Sequence, residues 1–299
     1  MNTRNFLLSD GFRDLLAEHL GEPVGQLRPV TGGDISSAWQ VVGTRGRLLF
    51  LKTNARADAA AFFAAEAAGL DRLRSAGVLP VPSVLSHGSL ERTGYLLLPF
   101  LRQQPAGERA WERVGQGLAA LHRQPQPRFG WETANFIGAL PQSNRYHDHW
   151  PDFYRSERLL PQAMAAHSAG LLAAADLHDL EHLCARLPDI CPDEPPALIH
   201  GDLWSGNCLF GPPDGQAWLI DPSACFAHRE MDLAMTRLFG GFPPRFHDAY
   251  AETYPLLPGF LSRMPVYQLF YLIVHLRLFG TAYLPSVRSI LRQFRGGRL

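Results

Sequence analysis

A chain of 299 residues, 46% hydrophobic and 19% charged, has enough apolar material for one large core or two moderate ones, so disorder is not its default state. Lys plus Arg and Asp plus Glu each total 28, so the formal charge is zero and neither nucleic acid nor an anionic membrane is an expected partner. The four cysteines, Cys184, Cys191, Cys208 and Cys225, lack CxxC spacing and the density of a disulfide framework, which points to a reducing, cytoplasmic compartment. The first residues show no basic region leading into an apolar run and a small-residue cleavage site, so no signal peptide is expected.

In chain order, the first hundred residues predict a small β-rich lobe carrying one helix. Residues 36–42 and 47–52 are apolar-rich runs around Gly43-Thr44-Arg45-Gly46, a hairpin signature, and strand alternation puts Leu48, Phe50 and Lys52 on one face. Residues 58–74 are rich in Ala, with Phe62, Glu66, Leu70 and Leu73 at helical spacing, so a glutamate sits within an apolar stripe. Residues 83–87 and 95–101 read as further strands, punctuated by Pro80, Pro82 and Gly94.

From about residue 103 helical patterns take over, at 108–123, 151–167 and 171–187. The stretch 124–150 between the first two is too long for a passive connector. Short strands are predicted at 197–199 and 217–220, enclosing His200-Gly201-Asp202-Leu203-Trp204-Ser205-Gly206-Asn207. The remainder is helical, with a break at Gly240-Gly241 and a long helix over 260–281. Its most apolar part, 267–279, is too short to span a bilayer and contains His275 and Arg277, so it reads as a core helix. The expected fold class is α+β in two lobes, 1–101 and 102–299.

The enclosed segment resists a packing explanation and suits phosphoryl transfer, which needs a nucleotide cradle, metal-holding oxygens and a carboxylate near the acceptor hydroxyl. Asp202 and Asn207 are five residues apart, the Asp-to-Asn interval of the kinase catalytic loop. Asp202 would act as base, and Asn207 would hold Mg²⁺ together with Asp221, which ends an apolar run fourteen residues later. Lys52 closes a strand and Glu66 follows fourteen residues on, as expected of a phosphate-contacting lysine and its partner. Before them, Gly32, Gly33, Ile35 and Ser36 form a loop in which glycines let the backbone approach phosphates, although the full G-x-G-x-x-G spacing is absent. Taken singly, Lys52 reads as a solvated lysine, Gly32-Gly33 and Asp221-Pro222 as turns, and Glu66 as a helix-margin residue. Their joint order across two lobes favours an ATP-dependent enzyme. His200 reads as a structural histidine supporting the loop, and Asp232 as a helix cap.

The chain resembles the fructosamine kinase family, the ketosamine 3-kinases, which are relatives of aminoglycoside phosphotransferases within the protein-kinase-like fold. The resemblance runs along nearly the whole sequence. Its most specific stretch is the segment 200–207 with Trp204, supported by Asn135-Phe136-Ile137-Gly138, Asp148-His149-Trp150, Phe239-Gly240-Gly241-Phe242 and Tyr267-Gln268-Leu269-Phe270. It implies a two-lobed kinase-like fold and ATP- and Mg²⁺-dependent phosphorylation of the sugar 3-hydroxyl of fructosamines and ribulosamines, giving an unstable phosphate that decomposes and frees the amine. By the same carry-over Asp202 is the base, Asn207 and Asp221 bind Mg²⁺, Lys52 and Glu66 position phosphates, and Leu98, Pro99, Phe100 and Leu101 form the inter-lobe hinge that holds adenine. Trp204, Trp150 and His275 are candidates for the sugar site, since an aromatic face packs on a sugar and imidazole bonds hydroxyls. The expected substrate is a small ketosamine or a glycated lysine on a protein, and the expected state a monomer or weak dimer. One departure is Asp34, where many relatives carry a cysteine after paired glycines. Two other readings stay open: a kinase of this fold acting on an aminoglycoside, choline or another alcohol, and a catalytically silent binding module.

Overall fold

The computed structural model describes residues 9–30, 35–212 and 214–295. Gly32, Gly33 and Asp34 of the expected phosphate loop lie outside the described residues.

The N-terminal lobe is a five-stranded antiparallel sheet flanked by two helices. Helix α1 (Asp10–Leu20) precedes β1 (Val24–Val30), β2 (Ser37–Gly43) and β3 (Leu48–Asn54); α2 (Ala59–Ser75) leads to β4 (Ser86–Leu90) and β5 (Thr93–Pro99), and the strand order is β1-β2-β3-β5-β4. The β2–β3 hairpin turns where the glycines predict it, and its register pairs Ala38 with Lys52. Side-chain alternation divides each central strand between two cores. Leu49 and Leu51 of β3, with Tyr95 and Leu97 of β5, pack under Phe12, Leu16 and Leu20 of α1. On the opposite face, Leu96 and Leu98 join Phe63, Leu70 and Leu73 of α2, while Phe50 and Lys52 turn into the cleft.

Only one helix was expected in this lobe, and α1 corrects that. Its signals are ordinary: Ser9 accepts from Phe12 N (3.4 Å) as N-cap, and Gly21 ends it in the left-handed region at φ 67°.

The C-terminal lobe begins with α3 (Glu108–His122). The stretch 124–150 holds the hairpin β6 (Asn135–Ile137) and β7 (Leu140–Gln142). The helix expected at 151–167 is divided into α4 (Trp150–Phe153), a π turn (Tyr154–Leu159) and α5 (Leu160–Ser168). Pro161 has no N–H for Glu157 O, and that carbonyl accepts from Arg158 Nη1 instead (3.0 Å). Then come α6 (Ala174–Ala185), α7 (Leu187–Ile190), β8 (Ala197–Ile199), β9 (Cys208–Gly211), β10 (Gln216–Leu219), β11 (Cys225–Ala227), α8 (Glu230–Leu238), α9 (Pro244–Thr253), α10 (Phe260–Phe279) and α11 (Leu284–Arg295). Helix α10 is the lobe's centre, with Tyr267, Leu269, Phe270, Tyr271 and Ile273 all buried. Among the described residues, no helix is long and apolar enough to cross a membrane.

The strands expected to enclose the catalytic segment pair differently from a simple hairpin. Residues 197–199 pair with 225–227, whereas β10 pairs with β9. Between β10 and β11 the chain passes through Asp221 at a left-handed φ of 54°, a conformation Asp tolerates better than most non-glycine residues.

Candidate active site

Between β8 and β9 the chain alternates inward and outward. Leu203 and Cys208 are fully or nearly buried in the core, Trp204 is 42% exposed, and Asn207 is buried. Gly206 lies directly beneath the Trp204 ring; a Cβ there would fall 2.2 Å from Trp204 Cη2, so glycine fixes where the indole rests. His200 is wholly buried. Its Nε2 donates to Ile220 O (2.9 Å), and its Nδ1 accepts from Asp202 N (3.3 Å). Burial holds its pKa below the ordinary value, so it is a neutral scaffold residue.

Asp232 is not a helix cap. Within α8 it is wholly buried, accepting from His200 N (2.7 Å) and Gly201 N (2.8 Å) and facing His122 Nε2 (3.2 Å). Burial alone would raise its pKa, but the His122 bond and charge, His200 and the Gly201 N–H outweigh that and hold it low. A carboxylate from a helix thereby fixes the backbone that carries Asp202, a role that local reading of the helix start does not reveal.

Asn207 Nδ2 donates to Asp202 O (2.9 Å), leaving its amide oxygen as the atom that can face a cation. Across the cleft, Lys52 Nζ donates to both Glu66 Oε1 (2.7 Å) and Asp221 Oδ1 (2.6 Å). Burial works against the Lys52 charge, yet the Asp221 and Glu66 carboxylates outweigh it and push its pKa up, so the ammonium persists. Asp202 moves the other way for a carboxylate: burial, then the Asp221 and Asp232 charges, raise its pKa to about 7 against an opposing bond from Asn207. A carboxylate poised near neutrality is suited to proton transfer.

These residues share a cavity of about 490 Å³ between the lobes. Ile35, Ser36, Lys52, Glu66, Asp202, Trp204, Asn207, Asp221 and His275 all line it. Asn54 Nδ2 holds the start of β2 by donating to Ile35 O (2.9 Å) and Ser36 Oγ (3.2 Å). Leu98 instead backs Phe50 from the paired strand, Pro99 ends β5, and Phe100 and Leu101 lead toward α3. Trp150 requires correction as a sugar-site candidate: it is 3% exposed, stacks on Tyr154 at 5.0 Å and belongs to the C-lobe core. His275 donates through Nδ1 to Tyr271 O (2.7 Å), and burial lowers its pKa. Around it stand Phe239, Phe279 and Tyr283, with ring centroids 4.6, 5.4 and 5.2 Å away, an aromatic wall absent from the expected site.

A second group of acids and histidine, Glu194, His228 and Glu230, is buried beneath α8. It is an ion-pair network, because Arg229 donates to both Glu194 oxygens (2.7 and 2.6 Å) and Arg263 Nε donates to Glu230 (2.8 Å).

Comparison with known proteins identifies the family and the fold. The family model described as fructosamine kinase matches residues 10–295. A probable ketoamine kinase of Lactiplantibacillus plantarum is 40% identical over 91% of this chain and 95% of its own length. The solved structure of a candidate fructosamine-3-kinase from Thermobifida fusca superimposes with a TM-score of 0.84 at 35% identity, covering 96% of this chain and 99% of that one. A thermostable aminoglycoside phosphotransferase mutant, at 18% identity and a TM-score of 0.62 over 95% and 99% of the two chains, shares the kinase-like fold. The chain belongs to the fructosamine kinase family.

Proposed function

We propose that the protein phosphorylates the sugar 3-hydroxyl of ketosamines with ATP and so promotes release of the amine. The observation that carries this reading is the single cleft in which Lys52 bridges Glu66 and Asp221 beside the Asp202–Asn207 loop. Residues 1–101 form the nucleotide-phosphate lobe and 102–299 the catalytic and acceptor lobe. Lys52, fixed by Glu66, meets the phosphates; Ile35 and Ser36 border them, and the crossing at Leu98, Pro99, Phe100 and Leu101 takes adenine. Asp202 orients the acceptor hydroxyl and accepts its proton. The amide oxygen of Asn207 and the carboxylate of Asp221 are hard donors that fit Mg²⁺, whose charge would offset that of the phosphate oxygens. Trp204 and His275 contact the sugar. Acceptors such as aminoglycosides or choline are supported by fold alone, at 12–18% identity.

The test is purified protein with ATP, Mg²⁺ and a panel of fructosamines, ribulosamines and aminoglycosides, with the phosphorylated position read by NMR. Phosphate at the sugar 3-oxygen of a ketosamine is expected; turnover of aminoglycosides alone, or phosphate on another oxygen, contradicts the reading.

A further inference from the structure

The stretch 124–150 carries the β6–β7 hairpin, and the contacts of that hairpin reach out of the C-terminal lobe. Toward its tip, Phe136 meets Phe62 of α2 edge-on, with ring centroids 5.1 Å apart. The Arg56 guanidinium lies over both rings, at 5.2 and 5.3 Å. Arg56 also donates to Ala139 O in the hairpin turn (3.2 Å) and is itself held by Asp58 Oδ2 (2.8 Å). At its base the hairpin is stapled to the segment after Asp221. Asn135 Nδ2 donates to Ala224 O (2.9 Å), Gln142 Nε2 to Ser223 Oγ (2.7 Å), and Ser223 Oγ to Phe136 O (2.8 Å). That segment touches α2 a second time, since a Cβ on Gly69 would lie only 3.2 Å from Pro222 Cγ.

Phe62 and Gly69 bracket Glu66, four residues before it and three after, spacings that share a helix face. A rotation or sliding of α2 relative to the hairpin and the Pro222 segment that withdraws Glu66 from Lys52 would disturb the Phe136 contact, the Pro222 contact or both. We propose that the β6–β7 hairpin is a clamp on α2, and that Phe136 is a positioning residue holding Glu66 against Lys52 before a nucleotide arrives. The proposal rests on the reading of Lys52 and Glu66 as the phosphate-positioning pair. Asn135, Phe136, Ile137 and Gly138 of the same hairpin, with Phe62 of α2, also line the cavity, so one element borders the cleft and holds its helix, and the Glu66→Gln background separates loss of a direct Phe136 contact with nucleotide from loss of the hold on Glu66.

The decisive experiment measures binding of a non-hydrolysable ATP analogue with Mg²⁺ by calorimetry, without acceptor, for the full chain and for Phe136→Ala, Glu66→Gln and their combination. Phe136→Ala is expected to weaken binding on the order of tenfold, as for directly coupled contacts, and to add little once Glu66→Gln is present. Phe136→Leu, which keeps apolar bulk against Phe62, is expected to restore most of the loss. Arg56→Gln, at a partly exposed position, repeats the cycle where Phe136→Ala fails to fold. Equal fold-losses in both backgrounds, or unchanged binding, overturn the clamp. Hydrogen exchange of residues 59–75 in the free protein supplies a readout independent of nucleotide: faster exchange in Phe136→Ala, with 48–54 unchanged, is expected, and unchanged protection of α2 overturns the proposal. A wild-type chain that binds no nucleotide while α2 responds in this way would contradict the kinase function and leave the hold on α2 standing.

Discussion

Asp202 sits where two demands conflict. Proton acceptance needs an ionised carboxylate, while its surroundings, the cleft wall with Asp221 and Asp232 nearby, favour the neutral acid and place its pKa at about 7. Two consequences follow from the one shift. Activity is expected to fall toward acid pH, where the protonated acid cannot accept the hydroxyl proton, with its midpoint below 7 once Mg²⁺ at Asn207 and Asp221 offsets the Asp221 charge that helps raise the Asp202 pKa. Stability runs in the opposite sense: the unfolded carboxyl ionises near its ordinary value of 3.8 and the folded one only near 7, so ionisation favours the unfolded chain increasingly as pH rises between those values. Asp202→Asn removes that burden. It is expected to abolish transfer yet raise Tm at pH 8 by a few degrees, corresponding to about 1 kcal/mol or more, with the gain shrinking as pH falls from 7 toward 4. Paired thermal melts of wild type and variant at pH 5 and 8 check this, and a gain that is larger at pH 5 contradicts it.

Among the elements, α8 shows most clearly what a linear reading can and cannot recover. That Lys52, Glu66 and the 200–207 loop meet in one cleft was legible from their order along the chain, since a lysine closing an alternating strand and a glutamate in a helical apolar stripe each have an ordinary reading alone. Asp232 has equally plain local surroundings at a helix start, and only the fold brings it to the His200 and Gly201 N–H groups, thirty-two and thirty-one residues earlier. The β8–β11 pairing and the docking of β6–β7 on α2 were hidden for the same reason, since three-residue strands carry too short a pattern to announce their partners. Trp150 is a sugar-site candidate by side-chain type alone, since an aromatic face packs on a sugar as readily as on a core, and only the fold turns the ring inward onto Tyr154. Asp232→Ala would strand three buried donors or facing groups, each worth roughly 1–3 kcal/mol when left unpaired. A fall in Tm well beyond that of a surface Asp→Ala control is expected, with loss of kcat in the folded fraction; a Tm within a degree of wild type would mean that another group holds the loop.

At the scale of the molecule, the boundary near residue 101 does not divide the hydrophobic core. One hydrophobic cluster contains Phe63, Leu70, Leu73, Leu96 and Leu98 from the first lobe and Val114, Leu118, Leu198, Phe210, Leu219 and Phe246 from the second. These first-lobe side chains pack against one another and against the second lobe, so separation of the lobes would expose the part of each that faces the second lobe. With a net stability of only about 5–15 kcal/mol for a whole protein, neither lobe unfolds without weakening the other. The intact chain is therefore expected to melt in a single transition, with far-UV circular dichroism and tryptophan fluorescence coincident. Five of the six tryptophans lie beyond residue 101 and Trp39 lies before it, while the dichroism reports both lobes. A fragment of residues 1–101 is expected to lack a cooperative melt although it contains the whole five-stranded sheet. Two resolved transitions in the intact chain, or a cooperative fragment, would show instead that the outer core under α1, formed by Phe12, Leu16, Leu20 and the facing strand residues, is sufficient to hold the first lobe.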